Sequence, residues 1–210
     1  MTQRREVEPA AGAEWLSSLP PVLAPHTRLV VLGSFPGVAS LRAQQYYAHP
    51  RNQFWPLLSA IWGIDLVGLP YAQRLVEASA RGLGLWDVYA SCRRAGSLDS
   101  AIREAVFNDL ASLGQRAPKL QAVAHNGGES ARAMRQTQAL GVAVIRLPST
   151  SPANASWGFD RKLVAWRAAF AECGLSGLDS LQGLPQGLAA PTRDSLRRKR
   201  VRASRSCGST

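Results

Sequence analysis

Much of what marks a common kind of site is missing from this 210-residue chain. Its three cysteines, Cys92, Cys173 and Cys207, lie far apart. They offer no paired spacing for a disulfide framework, a zinc site or a four-cysteine iron–sulfur cluster, so no metal is expected. No run of about 18 apolar residues is present, and no transmembrane helix is predicted. Behind the charges of Met1-Thr2-Gln3-Arg4-Arg5-Glu6 there is no apolar segment, so no secretory signal is read there. Neither a Gly-x-Gly-x-x-Gly turn nor a Walker lysine follows the first strand, which disfavours a Rossmann-like small-molecule enzyme. These absences predict a cytoplasmic protein.

A hydrophobic content of 46% is that of a globular chain, and this length gives one domain with one sizeable core. Charge is unevenly spread. Of the net +11, a net +6 falls between Pro191 and Thr210, where seven basic residues face one acidic residue. The body carries the remaining +5. Such a tail adds salt-sensitive, sequence-independent attraction to a polyanion, and it is equally compatible with a solvated disordered end.

Short apolar runs punctuate the chain. Arg28–Leu32 predicts the first buried strand, stopping at Gly33-Ser34-Phe35-Pro36-Gly37. An aromatic-rich loop, Tyr46–Trp55, leads into a helical pattern through Phe54, Leu57, Leu58, Ile61 and Trp62. A second helix is expected over 71–81, and a second strand over 83–88, ending near Asp87. A polar loop, 93–100, then leads into an expected helix through Ile102, Val106, Leu110 and Leu113. The third strand, 120–124, ends on His125-Asn126-Gly127, and a helix over 129–139 follows it. The fourth strand, 142–147, ends on Pro148-Ser149-Thr150-Ser151-Pro152-Ala153-Asn154-Ala155, and a last helix runs over 160–172. Strands alternating with helices predict an α/β fold: a three-layer α/β/α sandwich around a central four-stranded parallel sheet. The expected boundaries are an N-terminal extension (1–27), the domain (28–174), and a linker with a disordered basic tail (175–210).

In such a sheet the site lies beyond the carboxyl ends of the strands, and every informative stretch falls on that edge. Two prolines stiffen the 148–155 loop, so its hydroxyls and amides suit gripping phosphate oxygens. The plainer alternative is a strand-to-helix connection with Asn154 or Ser156 as a helix cap.

Taken in order, these stretches resemble the uracil-DNA glycosylase superfamily. Gly33-Ser34-Phe35-Pro36-Gly37 resembles its strand-ending Gly-x-x-Pro-Gly motif. Tyr47-Ala48-His49-Pro50-Arg51-Asn52-Gln53-Phe54-Trp55 is similar to the Ala-His-Pro-x-Asn-x-Phe-Trp segment of mismatch-specific members. Pro148-Ser149-Thr150-Ser151-Pro152 resembles the motif that clamps the DNA strand. With Arg94-x-Gly96-Ser97-Leu98-Asp99-Ser100, the match is closest to the hypoxanthine-DNA (deoxyinosine) glycosylase branch, over about residues 28–170. Where relatives carry a water-positioning Asn or Asp, this chain has Phe35, a substitution that branch shares.

The resemblance implies a monofunctional DNA-repair glycosylase, a hydrolase of N-glycosyl bonds in base excision repair. It would act as a monomer without a cofactor, flipping hypoxanthine, and uracil as a second base, out of DNA. Asn52 is the implied catalytic residue; read from residue type alone, it is a helix N-cap. The implied base pocket comprises Gly33, Ser34, Phe35, Tyr47, Asp87 and Asn126. In it Tyr47 stacks on the base, although Tyr46 competes and either can pack the core. Asp87 either accepts a base N–H or is structural. Asn126 and His125 either face the pocket or form a turn and a brace, and His49 reads as a loop brace. The implied DNA contacts are Pro148, Ser149, Thr150, Ser151, Pro152 and Asn154. The alternative is a non-catalytic binder of damaged DNA on the same fold.

Deleting 191–210 should weaken binding to undamaged duplex and flatten its salt dependence. The log–log slope should change by about 0.9 for each phosphate that the tail had neutralised. An unchanged slope would show that the tail never touches DNA.

Overall fold

Two faces of one short strand set the layers. In the computed structural model, which describes residues 15–176, the run Leu29-Val30-Val31-Leu32-Gly33 is buried at every position. Leu29 and Val31 enter one apolar cluster, with Phe54, Leu58, Trp62, Trp166 and Phe170. Val30 and Leu32 enter another, with Phe35, Trp86, Val88 and Leu113. A strand alternates its side chains between faces, so a continuous apolar run with both faces covered marks the centre of a sheet.

In chain order the strands are β1 (Trp15–Ser17), β2 (Leu29–Gly33), β3 (Leu83–Asp87), β4 (Tyr89–Arg93), β5 (Arg103–Phe107), β6 (Ala122–Asn126) and β7 (Ala143–Leu147). The helices are α1 (Val38–Ala43), α2 (Phe54–Trp62), α3 (Tyr71–Ala80), α4 (Leu113–Arg116), α5 (Met134–Gln138) and α6 (Phe159–Glu172). The central sheet has the order β3-β2-β6-β7 and all its pairings are parallel. Gly33 lies level with Asp87, and Asn126 lies level with Leu147. All four strands therefore finish along one edge. No helix of the described residues is long and apolar enough to cross a membrane.

The predicted four-stranded parallel sheet is present, and three local expectations are corrected. First, the helix expected through Ile102, Val106, Leu110 and Leu113 is not formed. Arg103–Phe107 is the edge strand β5, antiparallel to β4 with register shifts, and a helical turn and α4 follow it. The three- and four-residue spacing there suited a helix, but β-branched and aromatic Val106-Phe107 can pair with β4, and tertiary pairing prevails. Second, the helix over 129–139 is a 3₁₀ turn, Ser130–Ala133, running into the short α5. Third, residues 15–27, placed in the extension, pack onto the domain. β1 pairs with β4 to complete a small antiparallel sheet, β1-β4-β5, and Val22 exchanges both backbone hydrogen bonds with Leu85. The basic tail lies outside the described residues.

Candidate active site

The carboxyl ends of the parallel strands open into a cleft of about 720 Å³. Of the residues singled out from the sequence, these line it: Asn52, the pocket group Gly33, Ser34, Phe35, Tyr47, Asp87 and Asn126, and the loop residues Pro148, Ser149, Thr150, Ser151, Pro152 and Asn154. Their sequence separation exceeds 100 residues, and the strand order together with the loop between α1 and α2 brings them together.

On the floor Asp87 is only 3% exposed. Its Oδ2 accepts a hydrogen bond from Ser18 Oγ at 3.0 Å. Its Oδ1 lies so close to Gly33 that a Cβ there would be 2.3 Å away, so glycine is required on steric grounds. Burial pushes the Asp87 carboxyl up to about 7, against the pull of the Ser18 hydroxyl and the Arg94 charge. Beside it stands Tyr47, at a φ of 57°, its ring stacked on Phe54 with centroids 3.9 Å apart. The Tyr47 hydroxyl is buried without a partner among the described residues. Burial, then the Asp87 charge, raises its phenol far above the ordinary tyrosine value. Tyr46, the competing aromatic, is buried, with its hydroxyl on the carbonyls of Leu19 and Pro20. It braces the fold.

The 33–37 turn forms one wall. Backbone N–H groups of Ser34 and Phe35 have no acceptor among the described residues. Arg94 is 3% exposed, donates to the Pro36 carbonyl and lies over the Phe35 ring, 4.9 Å from its centroid. Ser34 Oγ donates to Asp99 Oδ1 at 2.7 Å.

The opposite wall is the 148–154 loop, held from three sides. Asn126 Nδ2 donates to Thr150 Oγ1, and the Thr150 N–H donates back to Asn126 Oδ1, both at 2.9 Å. The Gln53 N–H donates to the Thr150 carbonyl at 3.0 Å. From α6, Trp166 Nε1 donates to the Pro148 carbonyl at 3.1 Å. Buried Lys162 donates to Gln53 Oε1 at 2.8 Å and to the Asn154 carbonyl at 3.1 Å, and burial lowers its pKa. Neither Asn154 nor Ser156 caps the following helix, whose N-cap is Gly158. Instead Asn154 Nδ2 donates to the Ser149 carbonyl at 3.1 Å. Ser149 Oγ accepts from the Ser151 N–H, and Ser151 Oγ from the Ala153 N–H. Each hydroxyl so used keeps its own O–H for an external acceptor such as a phosphate oxygen.

Asn52 is not the N-cap of α2, which is Gln53, one residue later. Its Oδ1 accepts from the Phe54 N–H at 3.0 Å, which tethers the start of α2, while the residue lines the cleft. His49 Nδ1 accepts from the Arg51 N–H at 3.1 Å, as a loop brace does. Fully buried His125 lies outside the cleft lining, with Nδ1 2.7 Å from the Ser130 carbonyl and Nε2 2.9 Å from the Thr137 hydroxyl. Strand alternation turns it away while its neighbour Asn126 faces in. Sequence reasoning missed Ser18 and Lys162. A lone serine before Pro20-Pro21 and a lysine on an amphipathic helix carry no signal of a distant partner.

Asn126→Ala deletes both hydrogen bonds of the clamp and leaves buried Thr150 groups unpaired. Stability should fall by roughly 1–3 kcal/mol, with faster hydrogen exchange at the amides of 150–154. Unchanged exchange there would mean that α6 alone holds the loop.

Comparison with known proteins follows the same geometry. Residues 20–170 match the family model described as the uracil DNA glycosylase superfamily. The hypoxanthine DNA glycosylase of Methanosarcina barkeri is 38% identical over 151 residues, covering 72% of this chain and 95% of that protein. Its namesake from Methanosarcina acetivorans is 35% identical over the same shares. A solution NMR structure of a candidate uracil DNA glycosylase from Methanosarcina acetivorans superposes with a TM-score of 0.70 at 33% identity, covering 77% of this chain and 99% of that one. By sequence and by fold, this chain belongs to the uracil DNA glycosylase superfamily.

Proposed function

We propose that this protein is a monofunctional glycosylase that excises hypoxanthine from deoxyinosine in DNA by hydrolysis. The observation that carries the reading is the pairing of a free acceptor with free donors on the cleft floor. Asp87 Oδ1 faces the base site while Ser18 occupies Oδ2, and the Ser34 and Phe35 amides stand unpaired beside it. Hypoxanthine presents a 6-oxygen, which needs donors, next to an N1–H, which needs an acceptor. Adenine reverses both, and mispaired buried polar groups discriminate strongly. Uracil has the same oxygen and N–H adjacency, so it is a second substrate on this reading. The names of the Methanosarcina relatives support hypoxanthine.

The target base must leave the stack to reach this floor, at a cost of a few kcal/mol. Tyr47, backed by Phe54, offers a rigid ring for the extruded base to stack on. Cleavage of the glycosidic bond passes through an oxocarbenium-like state. A water must then reach the sugar carbon, and Asn52 is the polar group available, since Phe35 occupies the motif position of the usual one. With one lone pair of Asn52 Oδ1 on the Phe54 N–H, the other can hold the water in a fixed direction. Lyase chemistry needs an amine nucleophile. The cleft lining contains no lysine among the described residues, and Lys162 is engaged elsewhere.

Incubation with a duplex containing one deoxyinosine, in EDTA, followed by alkali, should yield a strand break at that position. An intact strand would refute the enzyme and leave a DNA-binding domain. Asn52→Ala should lower single-turnover excision by about 10²–10³ with DNA affinity retained. A near-normal rate with lower thermal stability would reduce Asn52 to a helix tether.

Asp87 adds a pH dependence. The carboxylate accepts N1–H more strongly than the neutral acid does, and it predominates above a pKa of about 7, so excision of inosine should fall as pH drops through that value. Asp87→Asn should remove this limb and change the ranking of inosine against uracil. A limb that persists in the variant would assign it to another group.

A further inference from the structure

The carboxyl on the cleft floor depends on a segment far from it in sequence. Residues 15–22 are fixed beside that floor by main chain and side chains together. β1 pairs with β4 from Trp15 to Ser17, and the Ser18 N–H donates to the Ala90 carbonyl at 2.7 Å. The Tyr46 hydroxyl reaches the carbonyls of Leu19 and Pro20, and Leu19 enters the apolar cluster of Phe54 and Trp62. Val22 is bonded to Leu85, on the strand that ends at Asp87. Ser18 Oγ is thereby held 3.0 Å from Asp87 Oδ2.

Among the described residues, Ser18 is the one hydrogen-bond donor to the Asp87 carboxyl. Charged groups act on it through space, without an ion pair. Arg94, just after β4, favours its ionised form, and Asp99, further along that loop, opposes it. The phenols of Tyr46, Tyr47 and Tyr71 also lie near it; burial raises the pKa of each, so they stay neutral. A hydroxyl donates more strongly to a carboxylate than to the neutral acid, so Ser18 favours ionisation. Its place also decides which oxygen remains. With Oδ2 taken, Oδ1 is left against Gly33, inside the cleft.

We propose that Ser18 is a positioning residue for base reading: its hydroxyl occupies Asp87 Oδ2 and so holds Oδ1, as an ionised acceptor, toward the N–H of the base. This role rests on the reading of Asp87 as the group that accepts N1–H. Ser18 itself touches no substrate and acts only through Asp87. The pH range over which the floor selects its base is then set in part by a residue that lies 69 positions ahead of the reader.

The test uses the full-length protein and two readouts. The first is the carbon-13 resonance of the Asp87 carboxyl, identified by its absence in Asp87→Asn and followed against pH without DNA. Ser18→Ala should move its midpoint upward by about one pH unit, the difference between a charge-assisted and a neutral hydrogen bond. Ser18→Thr, which keeps the hydroxyl, should leave the midpoint near that of the wild type. Ser18→Cys, a weaker donor of similar size, should move it in the same direction by less, and serves if Ser18→Ala does not fold. The second readout is single-turnover excision of deoxyinosine. A midpoint raised by one unit from about 7 slows excision at neutral pH about fivefold, and the falling limb should move up with it. In an Asp87→Asn background the same substitution should cost nothing further. An unmoved midpoint, a loss of equal size with and without Asp87, or a loss that threonine does not repair would overturn the inference. A wild-type protein silent on deoxyinosine, with the midpoint still moved by Ser18→Ala, would instead overturn the glycosylase reading and leave the tie between Ser18 and Asp87 standing.

Discussion

The close approach of the Asp87 carboxyl to Gly33 constrains everything around the cleft. A carboxyl 3% exposed survives in a parallel sheet only with partners, because an isolated buried charge is costly. Ser18 Oγ supplies one, Arg94 supplies an opposing charge, and the rest of the cost appears as a pKa raised to about 7. Gly33 permits the approach by having no side chain. Ser18, which directly follows β1, is therefore part of the site, although residues 15–19 precede the segment that matches the family model. One consequence is that the domain boundary at residue 27 is too late.

The two walls differ in how they are held. The 33–37 turn is braced by a cation, Arg94, and by paired hydroxyls. The 148–154 loop is braced by a reciprocal amide clamp from Asn126 and by α6. Neither wall draws its rigidity from the ion pairs of the described residues, all of which lie outside the cleft lining. Hydrogen bonds of this kind are directional and little screened by salt. This suits a surface that must keep its shape against a polyanion whose attraction is itself salt-dependent.

How much of this was legible depended on the range of the interactions. The central strands were readable because each is a short apolar run ended by turn residues, and their common edge followed from parallel topology. Gly33, Asp87 and Asn126 were readable because they end strands, whereas Tyr47 and Asn52, in the loop before α2, were readable only through the resemblance. β5 was not, because its apolar residues fall at helical spacing and only pairing with β4 makes them a strand. The partners of Asp87 and of the 148–154 loop were not readable either. Ser18 lies 69 residues from Asp87, and Lys162 lies 109 residues from Gln53, and a long-range hydrogen bond leaves no periodic trace. Asn52 shows a different limit. Its residue type suits an N-cap, yet the cap of α2 is Gln53, and Asn52 sits one residue earlier, tethering the Phe54 N–H while it lines the cleft.

The central claim is that the cleft floor reads a 6-oxygen and an adjacent N–H through the Ser34–Phe35 amides and Asp87. A crystal structure with duplex DNA carrying 2′-fluoro-deoxyinosine, whose fluorine destabilises the oxocarbenium-like state and so slows cleavage, measures this most directly. The account predicts the base extruded onto Tyr47, with O6 on the two amides and N1–H on Asp87 Oδ1. A base still stacked in the duplex, or one in the cleft with its Watson–Crick edge turned away from Asp87, would contradict it.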